Sequence, residues 1–313
     1  MISLRLRRAF SLMLLACIGC SNADAEPARR YLNEVFSDYV RTADIVYAEA
    51  LNSTTGERER LPLRVFEPKG DTALKRTLLI VTPGGGFVAH GDHWMDEFAE
   101  QLARSGYVVA LNRYRLSKEV NSAETYLDAL FKSFSDQKAA IRYFVKDSQG
   151  PNRFRIDPDN IFIGGHSAGA ITAMHVAYID ASDELETRMA AAMKAHGGIE
   201  GEDSDSKLAF KIRGVVNLSG LVTDLNMIDK GEAPLISIHG DKDTVVAIGA
   251  VVPPGLYGSI PIHERADAVG LPNELHVIQG ALHNDTSDPQ QCPECVPLVR
   301  RFMFNTMQTS PNP

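Results

Sequence analysis

Hydrophobic and polar positions follow two different patterns along the chain. Residues 45–51 and 61–66 are strand-like and flank the polar stretch 52–60, which predicts an antiparallel hairpin. Beyond this hairpin, short runs that are apolar throughout alternate with stretches of helical periodicity. The predicted strands are residues 77–82, 107–111, 160–163, 214–218, 234–239 and 274–278. The predicted helices are residues 95–105, 123–145, 168–178, 263–268 and 296–307.

Strands that are apolar along their whole length and separated by helices indicate a parallel sheet covered on both faces. The predicted fold class is therefore α/β: a doubly wound, mostly parallel sheet with an N-terminal antiparallel hairpin. The sequence shows no internal repeat and no linker, so residues 26–307 are expected to form a single domain. A flexible polar tail is expected at residues 308–313.

One segment, residues 180–209, departs from this alternation. Residues 184–196 look helical, whereas residues 197–207 are small and acidic. The helix before it starts at the carboxyl edge of the sheet and runs to the opposite edge, so the segment is expected on the surface, away from the ligand-binding edge. The connection 219–233, which follows the predicted strand 214–218, is where many lipases insert a lid over the site. It is only about fifteen residues long, so we expect little or no lid.

The N-terminal segment has the layout of an export signal. Three arginines precede an apolar run at residues 9–19, which is too short to cross a hydrocarbon layer of about 30 Å. Two processing routes fit the sequence, namely cleavage after Ala25 and lipid attachment to Cys20 in a stretch that resembles a bacterial lipobox. We predict a signal peptide at residues 1–25 and an exported protein (periplasm, cell envelope or secreted). Membrane contact is expected only through a lipid on Cys20.

Composition and charge narrow the classes of function. With 44% apolar and 23% charged residues and a mean hydropathy of −0.14, the chain resembles neither a disordered protein nor a multi-span membrane protein. The net charge is −8, and it becomes −10 once residues 1–25 are removed. No stretch rich in lysine and arginine follows the signal segment, so nucleic acid is not an expected partner.

Cys292 and Cys295 are the two cysteines that remain after the signal segment. In an exported protein, this Cys-Pro-Glu-Cys pair predicts a disulfide rather than a zinc site, because no second pair of ligands follows at zinc spacing. A redox site is the weaker alternative, since nothing around the pair resembles a thioredoxin unit.

Residues 165–169, Gly-His-Ser-Ala-Gly, have the form Gly-x-Ser-x-Gly. They follow a predicted strand directly and open a predicted helix, which is the turn where a nucleophilic serine is held in a strained conformation above the sheet edge. The glycines remove side chains that would collide at such a turn. The alternative is a serine that only caps the helix. We predict Ser167 as a nucleophile.

A serine hydroxyl needs a base and the base needs an orienting acid, and candidates for both follow later predicted strands. His283 comes after the strand at 274–278, and two acids, Asp241 and Asp243, come after the strand at 234–239. Asp243 is preferred because it is the fifth residue of His-Gly-x-x-Asp, whereas Asp241 would cap the turn. The chain order Ser, Asp, His matches that of the α/β hydrolases. We predict Ser167, Asp243 and His283 as the catalytic residues.

An attacked carbonyl also needs backbone donors for its developing negative charge. The run Pro83-Gly84-Gly85-Gly86-Phe87 follows a predicted strand, and it has neither the spacing nor the Lys-Ser/Thr ending of a phosphate-binding loop. We predict the N–H groups of Gly85, Gly86 and Ala168 as the oxyanion donors. Loops at the same edge (87–94, 113–122, 221–227 and 245–262) are expected to wall the pocket, although the last could pack on itself instead. The predicted substrate-binding residues are Phe87, His166, Leu221 and Val246.

The remaining histidines give no convincing metal signal. His90 and His93 flank Gly91-Asp92, which is a weak pattern without a further ligand. His239 and His276 lie in or at the ends of predicted strands and are interpreted as core or hydrogen-bonded residues. No metal and no cofactor is expected.

These motifs together make the chain resemble the serine esterases of the α/β-hydrolase superfamily, in particular the bacterial hormone-sensitive-lipase-like carboxylesterases. The resemblance covers residues 77–305 and includes Tyr114-Arg115-Leu116 and the stretch 156–159, Ile-Asp-Pro-Asp. It implies hydrolysis of carboxylic esters without a cofactor. One position departs from the family, because Pro83 stands where a histidine usually precedes the three glycines. Dienelactone hydrolases and exported polysaccharide or polyester esterases share the remaining pattern.

The function predicted from the sequence is that of a serine carboxylesterase acting through an acyl-enzyme. Its expected partner is a small-molecule or polymeric ester, either of a short acid or borne on an accessible polymer. Because His283 must be neutral to act, the rate is expected to rise with pH between about 6 and 7. The alternatives are an exported serine peptidase of the prolyl-oligopeptidase type, which usually carries a propeller domain, and a catalytically inactive binding protein.

Overall fold

The structure, a computed structural model, describes residues 29–91, 95–252 and 255–309. The predicted signal peptide and residues 310–313 of the predicted tail lie outside the described residues. The strands are β1 (Tyr39–Leu51), β2 (Arg58–Pro68), β3 (Arg76–Thr82), β4 (Val108–Asn112), β5 (Ile156–His166), β6 (Gly214–Leu218), β7 (Leu235–Gly240), β8 (Ala250–Val251), β9 (Leu256–Tyr257) and β10 (Asn273–Ile278). The helices are α1 (Met95–Arg104), α2 (Ala123–Ser148), α3 (Ala168–Tyr178), α4 (Thr187–Ala195), α5 (Ser259–Val269) and α6 (Cys295–Gln308).

Eight of these strands form one mixed sheet in the order β1-β2-β4-β3-β5-β6-β7-β10. β1 pairs with β2 and β2 with β4 in antiparallel fashion. The six strands from β4 onward in this spatial order, β4-β3-β5-β6-β7-β10, are all parallel to their neighbours. The two-stranded β8–β9 hairpin is separate from this sheet. The predicted fold class, with its N-terminal hairpin and mostly parallel sheet, is confirmed.

Helices cover both faces of the sheet, as strands that are apolar on both sides require. One core cluster joins the sheet to α2, α3, α4 and α5 and includes Phe131, Met174 and Ile262. The other joins the opposite face to α1 and α6 and includes Phe98 and Phe302. The sheet is therefore the middle layer of three, and its ends are left for the connecting loops.

The register places the carboxyl ends of the central strands side by side. Thr82 at the end of β3 pairs with Gly165 in β5, and His166 at the end of β5 pairs with Leu218 at the end of β6. Farther along, Gly240 at the end of β7 pairs with Ile278 at the end of β10. The residues that directly follow these strands therefore meet at one edge of the sheet, which is where the sequence places its candidate chemistry.

A buried ion pair fixes the connection that leaves β4 at this edge. The guanidinium of Arg115 is fully buried, its Nη2 lies 2.8 Å from Oδ1 of Asp136 in α2, and its Nη1 donates to the carbonyl O of Leu51. Nη1 also lies 2.7 Å from Oε2 of Glu202. Arg115 thus ties together the end of β1, helix α2 and the segment 180–209.

Among residues 29–91, 95–252 and 255–309, no helix has the length and apolarity needed to cross a bilayer. The same described residues contain no group of three or more His, Cys, Asp or Glu side chains arranged to hold a metal ion.

Candidate active site

Ser167 occupies the turn between β5 and α3. Its backbone has φ 54° and ψ −123°, a region that non-glycine residues rarely adopt, and its N–H donates to the carbonyl O of Leu218. The turn is crowded, because a Cβ at Gly169 would lie 1.9 Å from the carbonyl O of Thr82. The strained strand-to-helix turn that the sequence predicts is therefore present, and it needs its glycine for space.

The side chains of Ser167, His283 and Asp243 form a continuous chain of hydrogen bonds. Oγ of Ser167 lies 2.8 Å from Nε2 of His283, and Nδ1 of His283 lies 2.7 Å from Oδ2 of Asp243. A carboxylate only accepts, so Nδ1 of His283 carries the proton and Nε2 is free to accept from the serine. The three residues that the sequence selects from distant segments are thus in contact in the order a nucleophile, a base and an orienting acid require.

The carboxylate of Asp243 is fixed by its own loop. Oδ1 accepts hydrogen bonds from the backbone N–H groups of Val245 (2.8 Å) and Val246 (2.9 Å), and the side chain is fully buried. Burial would raise the pKa of Asp243, but hydrogen bonds from His239, His283 and these N–H groups outweigh it and hold that pKa well below its usual value. Asp243 therefore stays ionised in the pH range of most enzymes.

Asp241, the competing acid, has a different position. Its Oδ1 accepts from the N–H of Gly280 at 2.6 Å, and this hydrogen bond joins the loop after β7 to the loop after β10. Asp241 thus holds the two loops that carry Asp243 and His283.

The glycine-rich loop packs directly against the nucleophile turn. A Cβ at Gly84 would lie 3.1 Å from Cβ of Ser167, and one at Gly85 would lie 2.1 Å from the carbonyl O of Ala89. Gly85 has φ 119° and Gly86 has φ 61°, so the loop reverses within two residues. Ala168 is the first residue of α3, and its N–H has no acceptor within the helix. The predicted oxyanion donors thus lie on two segments that meet at Ser167.

Three of the four predicted substrate-binding residues belong to one apolar cluster around Ala168. Phe87, Leu221 and Val246 are buried in it together with Tyr114 and Ile171. The ring of Phe87 contacts Tyr126 edge-on, with 6.0 Å between ring centroids.

His166, the fourth, lies elsewhere. It is buried, and its Nε2 lies 2.9 Å from the carbonyl O of His283. Its side chain therefore supports the backbone of His283.

Two cavities border this apolar cluster. The larger, about 540 Å³, is lined by Val120, Asn121, Ser122, Ala123, Tyr126, Leu127, Glu186, Arg188, Met189, Thr223, Gly255 and Leu256. The smaller, about 310 Å³, is lined by Leu221, Asp243, Thr244, Val245, Val246, Ala247, Val251 and Leu256. Leu256, in the β8–β9 hairpin, is common to both linings.

The segment 180–209 contributes to the larger cavity, which differs from the expectation that it lies away from the ligand-binding edge. The chain leaves α3 at the far edge but turns back, so that Glu186, Arg188 and Met189 reach the start of α2. Packing explains this course: Met189 is buried in the same core cluster as α2 and α3, and Nε2 of His196 lies 2.9 Å from Oδ1 of Asp128 in α2.

The loop 245–262 contains the β8–β9 hairpin and the first turn of α5. Val222 and Tyr257 exchange two backbone hydrogen bonds of 2.9 Å, which anchor β9 beside the connection that follows β6. Residues 253 and 254 lie outside the described residues. The described part of this loop thus forms a wall of both cavities.

Cys292 and Cys295 are joined in the structure, with their Cα atoms 5.4 Å apart, just before and at the first residue of α6. Both residues are buried against the α1–α6 face. The geometry accommodates the disulfide that the sequence predicts.

Solved structures with this fold include several bacterial esterases. Esterase 2 of Thermogutta terrifontis phosphorylated by paraoxon is 18% identical, with a TM-score of 0.61 over 85% of this chain and 94% of that chain. The same organism's esterase Est2 with butyrate bound is 16% identical, with a TM-score of 0.61 over 85% of this chain and 96% of that chain. A truncated carbohydrate esterase from gut microbiota is 17% identical, with a TM-score of 0.62 over 86% of this chain and 97% of that chain.

Comparison with curated proteins found no match. A family model does match, and its description is BD-FAE. The matched part, residues 63–230, includes the glycine-rich loop and Ser167, whereas Asp243 and His283 lie beyond it. Because the match covers more than half of the sequence, the chain belongs to the BD-FAE family, an esterase domain of the α/β-hydrolase type.

Proposed function

We propose that this esterase is a serine carboxylesterase in which Ser167 is the nucleophile, His283 the general base and acid, and Asp243 the orienting acid. The observation that carries the proposal is the contact of Ser167 Oγ with His283 Nε2 at 2.8 Å, continued from His283 Nδ1 to Asp243 Oδ2 at 2.7 Å. The strained turn supports it, because it presents the serine oxygen at the sheet edge without a side chain on either flanking glycine.

In the first half of the reaction, the oxygen of Ser167 bonds to the ester carbonyl carbon while its proton passes to Nε2 of His283. The electron pair of the carbonyl double bond moves to the carbonyl oxygen, where the N–H groups of Gly85, Gly86 and Ala168 are the proposed donors. The bond from the carbonyl carbon to the alcohol oxygen then breaks, and the alcohol takes the proton from His283. Asp243 stays ionised and holds the imidazole in one tautomer throughout.

In the second half, water replaces the alcohol. Its proton passes to Nε2 of His283 as its oxygen bonds to the acyl carbon, and the bond from that carbon to Ser167 Oγ breaks. The carboxylic acid leaves, and the serine regains its proton from His283. The balance of the two halves is one ester and one water converted to one acid and one alcohol, so the cycle uses no cofactor.

We further propose that one side of the ester lies in the larger cavity and the other in the smaller cavity of about 310 Å³, which shares Leu256 with it. A volume of about 540 Å³ holds a small apolar group, and drug-sized ligand sites start near 300 Å³. The walls of this cavity are mainly apolar, whereas Arg188 and Glu186 stand at its rim. Esters of short acids, free or borne on an accessible polymer, fit this arrangement.

The test of the mechanism is Ser167→Ala, with Ser148→Ala at the end of α2 as a matched control. We expect the first variant to lose p-nitrophenyl acetate hydrolysis by about 10⁴-fold or more, and the control to keep it. Treatment with paraoxon followed by mass spectrometry of peptides should place one diethyl phosphoryl group on Ser167 of the active protein. Retained turnover in Ser167→Ala, or labelling at another serine, would contradict the proposal.

We also propose that the protein is exported, on the layout of residues 1–25 and the Cys292–Cys295 pair. Expression of the full chain in a bacterium, followed by fractionation and mass spectrometry of the N-terminus, tests this. A mature N-terminus at Glu26 and a lipidated Cys20 are the two forms expected, and an intact Met1 in the cytoplasm would contradict export.

A further inference from the structure

The carboxylate of Asp243 receives two imidazoles. Besides Nδ1 of His283 at 2.7 Å, Nε2 of His239 lies 3.2 Å from the same oxygen, Oδ2. Oδ1 is occupied by the N–H groups of Val245 and Val246. Both oxygens are therefore engaged from two sides, and the side chain of Asp243 has no exposed surface.

The tautomer of His239 follows from its neighbours. Its Nε2 makes a hydrogen bond of 3.0 Å to the carbonyl O of Val246, and the carboxylate of Asp243 is a second acceptor at 3.2 Å. Both groups only accept, so Nε2 carries the proton. Its Nδ1 lies 2.8 Å from Oγ of Ser259, the first residue of α5. With the proton on Nε2, Nδ1 accepts and the serine hydroxyl donates. His239 is thus a donor that Val246 and Asp243 share.

Ser259 is itself oriented from within the sheet. Nδ2 of Asn217, in β6, lies 3.3 Å from Oγ of Ser259 and donates to it, which leaves the hydroxyl proton for His239. The amide of Asn217 cannot turn round, because its Oδ1 accepts the N–H of Gly220 at 2.9 Å. Asn217, Ser259 and His239 are all fully buried. The hydrogen bonds therefore run in one direction, from Asn217 through Ser259 and His239 to Asp243.

We propose that His239 is a positioning residue for the catalytic carboxylate, and that Ser259 and Asn217 set its tautomer; this rests on the proposed function of Asp243. The side chain of Asp243 can rotate about its Cα–Cβ and Cβ–Cγ bonds, and the N–H groups of Val245 and Val246 hold only one of its two oxygens, Oδ1. The N–H of His239, which is shared with the carbonyl O of Val246, also faces Oδ2 where His283 binds, and it thereby restricts the orientation in which Asp243 meets His283. Sequence alone gives His239 the ordinary interpretation of a core histidine at the end of a strand.

The N–H of His239 also limits the negative charge that Asp243 presents to His283. Another ionisable group beside His283 is His166, with 4.8 Å between ring centroids, and burial lowers the pKa of His166 to about 4, so it stays neutral. Removing the N–H at His239 leaves more charge on Oδ2 for the His283 imidazolium. The acid side of the kcat/KM profile is therefore expected to move to higher pH.

The test compares His239→Phe, which removes the donor, with His239→Gln, whose amide N–H can restore it. We expect His239→Phe to lower kcat by about 10- to 100-fold with KM changed by less than about threefold, and His239→Gln to recover part of the loss. The acid limb of the phenylalanine variant should rise by about half a pH unit, and its His283 Nδ1 proton resonance should move downfield, because the hydrogen bond to a more negative Oδ2 is stronger. His263→Phe, at a buried histidine in α5 outside this chain of hydrogen bonds, is the matched control and should keep kcat, pH profile and resonance.

The outcomes separate the two proposals. A wild-type kcat and pH profile in His239→Phe, with Ser167→Ala inactive, would overturn the positioning role and leave the serine mechanism intact. Activity in Ser167→Ala would overturn the serine mechanism itself. Where His239→Phe does not fold, Ser259→Ala removes the donor to Nδ1 instead, and it should lower kcat by about fivefold with the same shift of the acid limb. A wild-type kcat and profile for Ser259→Ala would overturn the proposal equally.

Discussion

The imidazole of His166 lies beside that of His283, with 4.8 Å between ring centroids, and its Nε2 lies 2.9 Å from the carbonyl O of the same residue. A carbonyl only accepts, so Nε2 of His166 carries the proton, and burial keeps the ring neutral by lowering its pKa to about 4. The residue next to the nucleophile in sequence therefore holds the backbone of the proposed base, a support that a charged imidazolium in this buried place would disturb.

Replacing His166 should change how acid affects stability. Burial lowers the pKa of His166 to about 4, whereas an unfolded histidine titrates near 6.5. Its contribution to the free energy of unfolding is therefore fully present above pH 6.5 and is lost as the pH falls toward 4. When the pH is lowered from 7.5 to 5, we expect the free energy of unfolding to fall by about 2 kcal/mol less in His166→Leu than in the wild type, as measured by urea unfolding. His276→Leu, at a half-buried histidine in β10, is the control, and an equal pH slope in all three proteins would refute the expectation.

Glu232 should give the opposite pH dependence. It lines a cavity of about 510 Å³ formed by residues from the amino edge of the sheet, and burial, together with Asp229, Asp180 and Asp183, raises its pKa to about 8. In the unfolded chain this carboxyl ionises near 4.3, so the folded state is disfavoured progressively as pH rises from there through 8.

Glu232→Gln keeps an oxygen for the N–H of Asp229, which is 2.7 Å from Oε2, and removes the charge. The variant should have a higher urea midpoint than the wild type at pH 8.5 and the same midpoint at pH 4. Asp159→Asn, on the same cavity, is the control. A difference between Glu232→Gln and the wild type that does not grow with pH would count against this account.

Arg115→Met tests the buried ion pair. Asp136 is fully buried, and burial raises its pKa while Arg115 lowers it, so loss of the guanidinium leaves a carboxylate without compensation. We expect the free energy of unfolding to fall by about 3–5 kcal/mol. The double variant Arg115→Met/Asp136→Leu should recover much of this loss, because the carboxylate that Arg115 compensated is then absent as well. Chemical denaturation of the wild type and the two variants measures these free energies of unfolding. A double variant less stable than Arg115→Met would show that an uncompensated Asp136 carboxylate is not the cause of the loss.

Met189→Trp tests which cavity takes part of the substrate. The larger ring would occupy the cavity of about 540 Å³, whose lining does not include Ser167, His283 or Asp243. Two ratios of kcat/KM are measured: p-nitrophenyl octanoate to p-nitrophenyl acetate, which varies the acid, and octyl acetate to methyl acetate, which varies the alcohol. We expect one of these two ratios to fall about tenfold or more in the variant.

Leu74→Trp is the matched control for this experiment, since Leu74 is exposed in the loop before β3, at the other edge of the sheet. Both ratios should be unchanged in this variant. Unchanged ratios in Met189→Trp as well would place the substrate outside the larger cavity.

The sequence predicts the sheet well because its strands are buried on both faces and read as uninterrupted apolar runs. β6 and α3 have the predicted bounds, whereas β5 begins at Ile156 rather than 160, because a register shift between Arg76 and Leu78 lets the polar residues 157–160 continue the strand. The β8–β9 hairpin has two residues in each strand and therefore no periodicity to detect.

In the candidate site too, the sequence predicts some features and not others. Ser167, Asp243 and His283 each follow a strand end in a recognisable motif, so the sequence brings them to one edge, and their contact is seen only in the structure. The second imidazole on Asp243 could not be predicted, because a histidine four residues before an acid gives no sign of contact unless the turn between them is known. The course of 180–209 is equally hidden, since its return to the carboxyl edge depends on packing against α2.

Met189 and its neighbours belong to an excursion that departs after α3 and rejoins the sheet only at β6, so this wall of the larger cavity is separate from the strand pairing and from the hydrogen bonds of Ser167. On the proposed substrate site, residues 180–209 would set the range of esters accepted while Ser167, His283 and Asp243 set the rate of bond cleavage, so changes to this segment would alter the first property and leave the second.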